Sequence, residues 1–191
     1  MDLVAELDAY VPATAAEAAD VERVRALAAT GDPWSRTNPV HVTASALVLH
    51  PPTERVLLRW HERMGAWLHV GGHVDPDDVG PLDAARREGR EETGLADLAP
   101  WPDAQRPRLV HVVVVPVPAG KGEPAHEHAD LRYLLTTGRP DEVVPERPGA
   151  PLRWTPLAGA GEVVGHDNLR ETLDRATRLL HGGDGAAAGH P

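Results

Sequence analysis

No cysteine occurs among the 191 residues, which removes disulfides, zinc-thiolate sites and cysteine nucleophiles from consideration. That absence fits a reducing compartment, and the expected location is the cytoplasm. Phenylalanine is missing too, beside abundant Ala, Arg, Pro, Gly and Val, a pattern that reads as coding bias. No apolar run approaches the roughly 20 residues that span a bilayer. The opening MDLVAELDAY is acidic and lacks the basic and apolar regions of a secretory leader. Positive charge is also short, with 19 Lys and Arg against 29 Asp and Glu, a formal net charge of −10. A stable nucleic-acid or acidic-membrane partner is therefore not expected. A small anion is still accessible to such a chain if a divalent cation is recruited to the site.

What is present suits one globular domain with a real core, at 25% charged and 41% apolar residues. Apolar Val21, Val24, Leu27 and Ala28 at helical spacing predict a helix within 13–32 that packs on the outside of the core. Residues 40–50 and 55–61 predict strands joined by a turn at 51–54, and 66–74 a third extended stretch broken by Gly71 and Gly72. A helix is predicted over 81–95, opened by Pro81 and stopped by Gly94. Strands follow at 108–117 and 128–136, then a short one near 152–157 and a closing helix over 167–183. The order predicts an α/β (α+β) fold with a mixed sheet. The expected organisation is a helical extension over 1–39, a domain over 40–183 and a flexible tail over 184–191.

One stretch, REGREETGL at 87–95, calls for explanation. It brings Glu88, Glu91 and Glu92 within an arc of about 100° on a helix, where like charges one turn apart cost about 0.2–0.5 kcal/mol. A solvated acidic face is the commoner origin of such a group. Three neighbours favour a site instead. Gly89 gives up helix propensity, the preceding GGHVDPDD turn allows close backbone approach, and Arg87 is placed to hold a carboxylate. Clustered oxygen donors suit hard divalent cations, above all Mg²⁺.

The segment GGHVDPDDVGPLDAARREGREETGL (71–95) resembles the signature of the Nudix hydrolases. In that family a Gly is followed after five residues by Glu, then after seven by Arg-Glu-apolar-x-Glu-Glu-x-Gly-apolar. The second half is matched by Arg87, Glu88, Glu91, Glu92, Gly94 and Leu95, and the strand pattern is similar from about 40 to 180. Two departures are visible. Counted from Gly72, the first acid falls on Asp78, with eight residues before Arg87, and Gly89 stands at the apolar position, where it would loosen helix packing.

The resemblance implies a Nudix-type α/β/α sandwich and Mg²⁺-dependent cleavage of a diphosphate bond by water attack at phosphorus, with Mn²⁺ as a substitute ion. It makes Glu88, Glu91 and Glu92 metal ligands, together with a backbone carbonyl of the Gly71–Gly72 turn. It makes Glu88, Arg87 and Glu91 the catalytic set, with Arg87 orienting Glu88 and Glu88 able to take a proton from the water. Asp78 and Gly72 carry weaker roles.

A second constellation is HEHADLR at 126–132. If extended, it projects His126, His128, Asp130 and Arg132 to one side and Ala129, Leu131 and Tyr133 to the other. A solvent-facing strand and a row lining a substrate cleft are equal readings. In the second, the row supplies a base, a phosphate contact or a further ligand. Glu127 and Glu123 are alternatives for an additional acid. Trp67 is either core or a wall for a flat group, with His69 beside it. Arg59 and Arg63 either meet phosphate or sit on the surface.

Two rivals share the expected fold. One is an enzyme like isopentenyl-diphosphate isomerase, disfavoured because the chain lacks cysteine. The other is a catalytically silent nucleotide sensor, disfavoured because all three helix Glu are retained and no basic DNA reader is present. The expected partner is a small-molecule diphosphate, and the N-terminal helix is a candidate homodimer contact. The group attached to the diphosphate is not legible in the sequence.

Overall fold

A computed structural model of the chain describes residues 3–120 and 122–182. The expected tail at 184–191 lies outside the described residues. Helices α1 (Leu3–Ala9) and α2 (Ala15–Ala28) precede the first strand. The sequence reading did not anticipate α1, and α2 is shorter than expected. The Thr14 hydroxyl accepts the Glu17 N–H at 3.1 Å, so the helix starts after it. Gly31, at φ 91°, follows its end.

Strands β1 (Val40–His50) and β2 (Arg55–His61) form the expected antiparallel pair. The extended stretch 66–74 breaks at His69, not at the glycines as expected, giving β3 (Ala66–Leu68) and β4 (Val70–His73). The break follows from a change of partner: β3 pairs with β2, whereas β4 pairs with β1. Helix α3 (Pro81–Thr93) begins at Pro81 and ends on Gly94, whose φ of 71° lies in the left-handed region that favours glycine. The remaining elements are β5 (Ala99–Pro100), β6 (Leu109–Val117), β7 (His126–Thr136), β8 (Leu152–Pro156), α4 (Leu157–Val163) and α5 (Asp167–Leu180).

Among the described residues these strands make one eight-stranded sheet, with β3, β2, β1, β7 and β5 in order. β4 joins β1, β6 joins β7 and β8 joins β2. The β1–β7 pair is parallel and the other pairings are antiparallel, so the sheet is mixed as expected. Alternation along β1 divides the interior. Val42, Ala44, Ala46 and Val48 enter the core shared with α1, α2 and α3, while Leu47 and Leu49 enter the core shared with α4 and α5. Each fully buried Val or Leu contributes about 1.5–3 kcal/mol. No helix among the described residues is long and apolar enough to cross a membrane.

Glu17 joins the two helical layers. Its carboxylate accepts both Arg175 Nη1 at 2.7 Å and Arg175 Nη2 at 2.9 Å from α5. It also accepts the Tyr10 hydroxyl, Ala13 N–H at 2.7 Å and Val112 N–H at 3.2 Å. Burial alone would raise its pKa, but these donors outweigh burial and bring it from 4.5 down to about 2. The resulting stabilisation is fully present above about 4.5 and is lost as pH falls toward 2. Glu17→Gln is therefore expected to cost on the order of 2–3 kcal/mol at pH 7. In urea titrations the deficit should shrink between pH 4.5 and pH 2.

Candidate active site

Helix α3 packs against β1 and β4, with Ala84, Ala85 and Gly89 buried in the interface. A Cβ on Gly89 would stand 2.9 Å from Leu98 Cδ1, so the helix sits close, and the expected loosening is not seen. On its flank, Glu88 and Glu92 meet a strand that carries no side chains at 71 and 72. A Cβ on Gly72 would lie 2.5 Å from the Glu88 carboxyl carbon, and the Gly71 N–H donates to Glu92 Oε2 at 3.0 Å. Arg59 Nε, from β2, stands 3.2 Å from Glu92 Oε1, and its Nη2 donates to Glu146 at 3.1 Å.

Burial pushes the Glu92 carboxyl up to about 7, with Glu88 adding to the rise and Arg59 and the Gly71 N–H opposing it. Burial also raises Glu88, against the pull of Arg87. Arg87 donates Nη1 to Glu88 at 3.0 Å and to Glu91 at 3.4 Å, and Nη2 to the His73 carbonyl at 2.9 Å. Its Nε and Nη2 donate to the two oxygens of Asp78, at 3.1 and 2.9 Å. That bidentate contact raises the Arg87 pKa further.

Beyond β4 lies a cavity of about 870 Å³, between the polar ends of β1 and β7 and the start of α5. Thr43 and Ser45 of β1 and His126, His128, Asp130 and Arg132 of β7 line it, because their registers pair Thr43 with Asp130 and Ser45 with Arg132. Glu92, Arg59 and His73 line the same cavity. Asp130 is almost fully buried and accepts Ser45 at 2.7 Å, Thr43 at 3.1 Å and Arg132 Nε at 2.8 Å. Burial would raise its pKa, but nearby His69 and Arg132 hold it well below the usual carboxylate range.

The NUDIX domain profile matches residues 39–167, well over half of the chain. This chain belongs to the Nudix family. It is 32% identical over 116 residues to a probable DHNTP pyrophosphohydrolase of Lactococcus lactis subsp. cremoris, covering 59% of this chain and 64% of that protein. The match thus spans less than two thirds of the curated relative's length. Two solved structures share the fold. A C. elegans Ap4A hydrolase binary complex has a TM-score of 0.57 at 20% identity, with 74% of this chain and 98% of that chain covered. A NUDIX-family hydrolase from Clostridium perfringens has a TM-score of 0.55 at 24% identity, with 75% and 98% covered. The fold is accordingly the expected Nudix-type sandwich.

Within the Nudix signature, the structure brings Glu88 and Glu92 together but leaves Glu91 apart, 57% exposed and held through Arg87. Asp78 is occupied as the bidentate partner of Arg87, and the loop bearing it is pinned to the helix. Gly71 donates its N–H to Glu92 Oε2, which holds that carboxylate against β4. Oxygen-only donors at Glu88 and Glu92 fit a hard divalent cation.

Outside the signature, the polar row of β7 faces the cavity and not solvent. Arg132, expected to bind substrate, directs its N–H groups to Asp130, Asn168 and Thr172, and acts as an anchor between β7 and α5. Asp130 is likewise saturated by protein partners. Trp67 does not line the cavity; it turns to Trp60 and Arg153, with Leu68 and His69 on the cavity side. Arg59 is buried, not superficial. Glu127 is paired with Arg23 at 2.6 Å, while Glu123 lines the cavity.

His41, His73 and Arg147 were not anticipated by sequence reasoning. For His41 a signal existed, since His41, Thr43 and Ser45 alternate as polar positions in an otherwise apolar strand. Burial lowers the pKa of His73 to about 4 and of His128 to about 3, with neighbouring imidazoles adding to both shifts and Arg36 to the first.

The two strand glycines respond to different obstacles. A Cβ on Gly71, at φ 147°, would meet Ala44 O and Ser45 Cα at 2.6 Å, both backbone atoms. On Gly72 the nearest atoms are those of the movable Glu88 carboxylate. Gly71→Ala is expected to cost about 2 kcal/mol or more. Thermal melts should show a clearly smaller loss for Gly72→Ala.

Proposed function

We propose that this chain hydrolyses a phosphoanhydride in a nucleoside diphosphate linked to another moiety, or in a closely related organic polyphosphate. The observation that carries this reading is the pair of carboxylates, Glu88 partly buried and Glu92 buried, set against a strand without side chains at 71 and 72, with Glu92 lining a cavity of about 870 Å³. The relative named as a probable DHNTP pyrophosphohydrolase supports the same reaction class.

Glu88 and Glu92, with Glu91 at the outer side, would hold Mg²⁺, for which Mn²⁺ can substitute. When bound, such an ion neutralises phosphate charge and makes water more acidic. The protein's own contribution is positional. Arg87 fixes Glu88 so that one carboxylate oxygen can take the proton of the attacking water. The new bond joins that water oxygen to phosphorus as the anhydride P–O bond breaks, and the leaving phosphate carries away the bond's electrons. Exposed Arg63 and Arg147 line the cavity and offer charge to the phosphates, while Leu68, Val115 and Val117 provide an apolar wall for the organic group.

The test is product release with Mg²⁺ from nucleoside triphosphates, sugar nucleotides, ADP-ribose, dinucleoside polyphosphates, coenzyme A and dihydroneopterin triphosphate. Glu92→Gln keeps the shape but removes the ionised donor, and is expected to lower kcat by about 100-fold or more on the preferred substrate. Full turnover by that variant would remove Glu92 from the site. Tight Mg²⁺-dependent binding with no turnover on any compound would support a sensor instead.

A further inference from the structure

His73, His126 and His128 of the cavity lining, with buried His41 packed against them, form a group that the carboxylate chemistry leaves unused. The register of three strands assembles it. Parallel pairing sets His41 of β1 beside His128 of β7, and antiparallel pairing sets His73 of β4 across from Thr43, two residues along β1. His126 lies two residues before His128 on the same face. Ring centroids fall 5.1 Å apart for His41 and His73, 4.9 Å for His41 and His128, 5.1 Å for His73 and His128, and 5.0 Å for His126 and His128.

We propose that His41, His73 and His128, completed by His126, form a second metal centre that takes a zinc-class divalent transition ion through imidazole nitrogen. The ligand nitrogens of His41, His73 and His128 all lie within 4.8 Å of one another. Nε2 atoms are 3.1 Å apart in the His41–His73 pair and 3.2 Å apart in the His126–His128 pair. A tetrahedron with metal–nitrogen bonds of 2.0–2.1 Å has edges of about 3.3 Å. Both pairs are therefore spaced as ligand pairs of such a centre.

The surroundings fix which nitrogen each outer ring presents. His41 Nδ1 lies 3.2 Å from the Asn38 carbonyl and His126 Nδ1 lies 2.9 Å from the Pro124 carbonyl. A carbonyl oxygen only accepts, so in the neutral rings Nδ1 carries the proton and Nε2 presents its lone pair inward. Backbone carbonyls that hold the remote ring nitrogen are the usual support of metal-ligating histidines. Nitrogen donors select zinc-class ions, whereas the oxygen donors of α3 select Mg²⁺. The nearby Asp130 does not compete as a ligand, because both its oxygens are engaged by Thr43, Ser45 and Arg132.

This centre does not depend on the hydrolytic reading, and its test does not use turnover. Full-length protein is stripped with a chelator and dialysed against Zn²⁺ in the presence of millimolar Mg²⁺, and the metal is then counted by mass spectrometry. About one equivalent of retained Zn²⁺ is expected in the wild type and in Glu92→Gln. His41→Gln and His128→Gln are each expected to weaken binding by at least about tenfold. Circular dichroism melts identify any variant that fails to fold. X-ray absorption on the loaded wild type needs no variant and should show at least three imidazole ligands. Retention far below one equivalent would overturn the proposal. So would an oxygen-only ligand shell, or zinc binding lost in Glu92→Gln and untouched in both folded histidine variants.

Discussion

The parallel pairing of β1 with β7 is the constraint on which the rest of the molecule depends. It runs unbroken from Val40 opposite Glu127 to Leu49 opposite Thr136. Each strand is apolar on both faces toward its C-terminal end and polar on one face toward its N-terminal end. Because the strands are parallel, those polar ends coincide. A slip of one residue in β1 would drive His41, Thr43 and Ser45 into the core against α3, and a slip in β7 would do the same to Asp130 and Arg132, with no partners there. The aliphatic alternation that fixes the register therefore also fixes the site. Residues that share no local sequence context, such as Ser45 and Asp130, meet within 2.7 Å for this reason.

Around that axis the buried charges are arranged so that the structural ones are satisfied and the site carboxylates are only partly satisfied. Asp130 has donors on both oxygens, and Glu17 has five donor groups around it. Glu88 and Glu92 are different. They are partly buried beside one another, each with one guanidinium in reach, and their pKa values rise where Asp130 and Glu17 fall. The direction of the shift alone does not sort them, since burial also raises Glu6, whose carboxylate accepts the Tyr133 hydroxyl in the core. The sparser donors at the adjacent Glu88 and Glu92 set that pair apart.

Much of this was legible in the sequence, and the exceptions have a common origin. Helix α3 was legible because Pro81, Gly94 and the acidic spacing act locally. The side-by-side projection of His126, His128, Asp130 and Arg132 was legible because strand alternation is local as well. Whether that row faced solvent or a cleft was not, since this depends on α5 covering it through Asn168 and Thr172. The break at His69 was hidden because it reflects a change of pairing partner, not a local propensity. Asp78 counted as a displaced signature acid; only the path of the 75–80 loop shows it clamping Arg87. His41 and His73 escaped notice because they converge through two pairings from separate strands.

The short strand β4 turns these parts into one site. It lies between α3 and the cavity, and its composition answers to both sides. Gly72 leaves room for Glu88 from the helix side, and Gly71 offers its N–H to Glu92. The next residue, His73, sends its ring into the cavity, 3.1 Å from His41, while its carbonyl accepts Arg87. Arg87 in turn holds Glu88. A single guanidinium thus connects the backbone that carries an imidazole to the carboxylate that stands against that same strand. Movement of β4 toward either side must change both groups together, and a side chain larger than hydrogen at 71 would force that movement, because backbone atoms of β1 stand in its way. Gly71 is required by the backbone of β1 and Gly72 gives room to the Glu88 carboxylate, so the signature glycines of this chain record two different packing constraints.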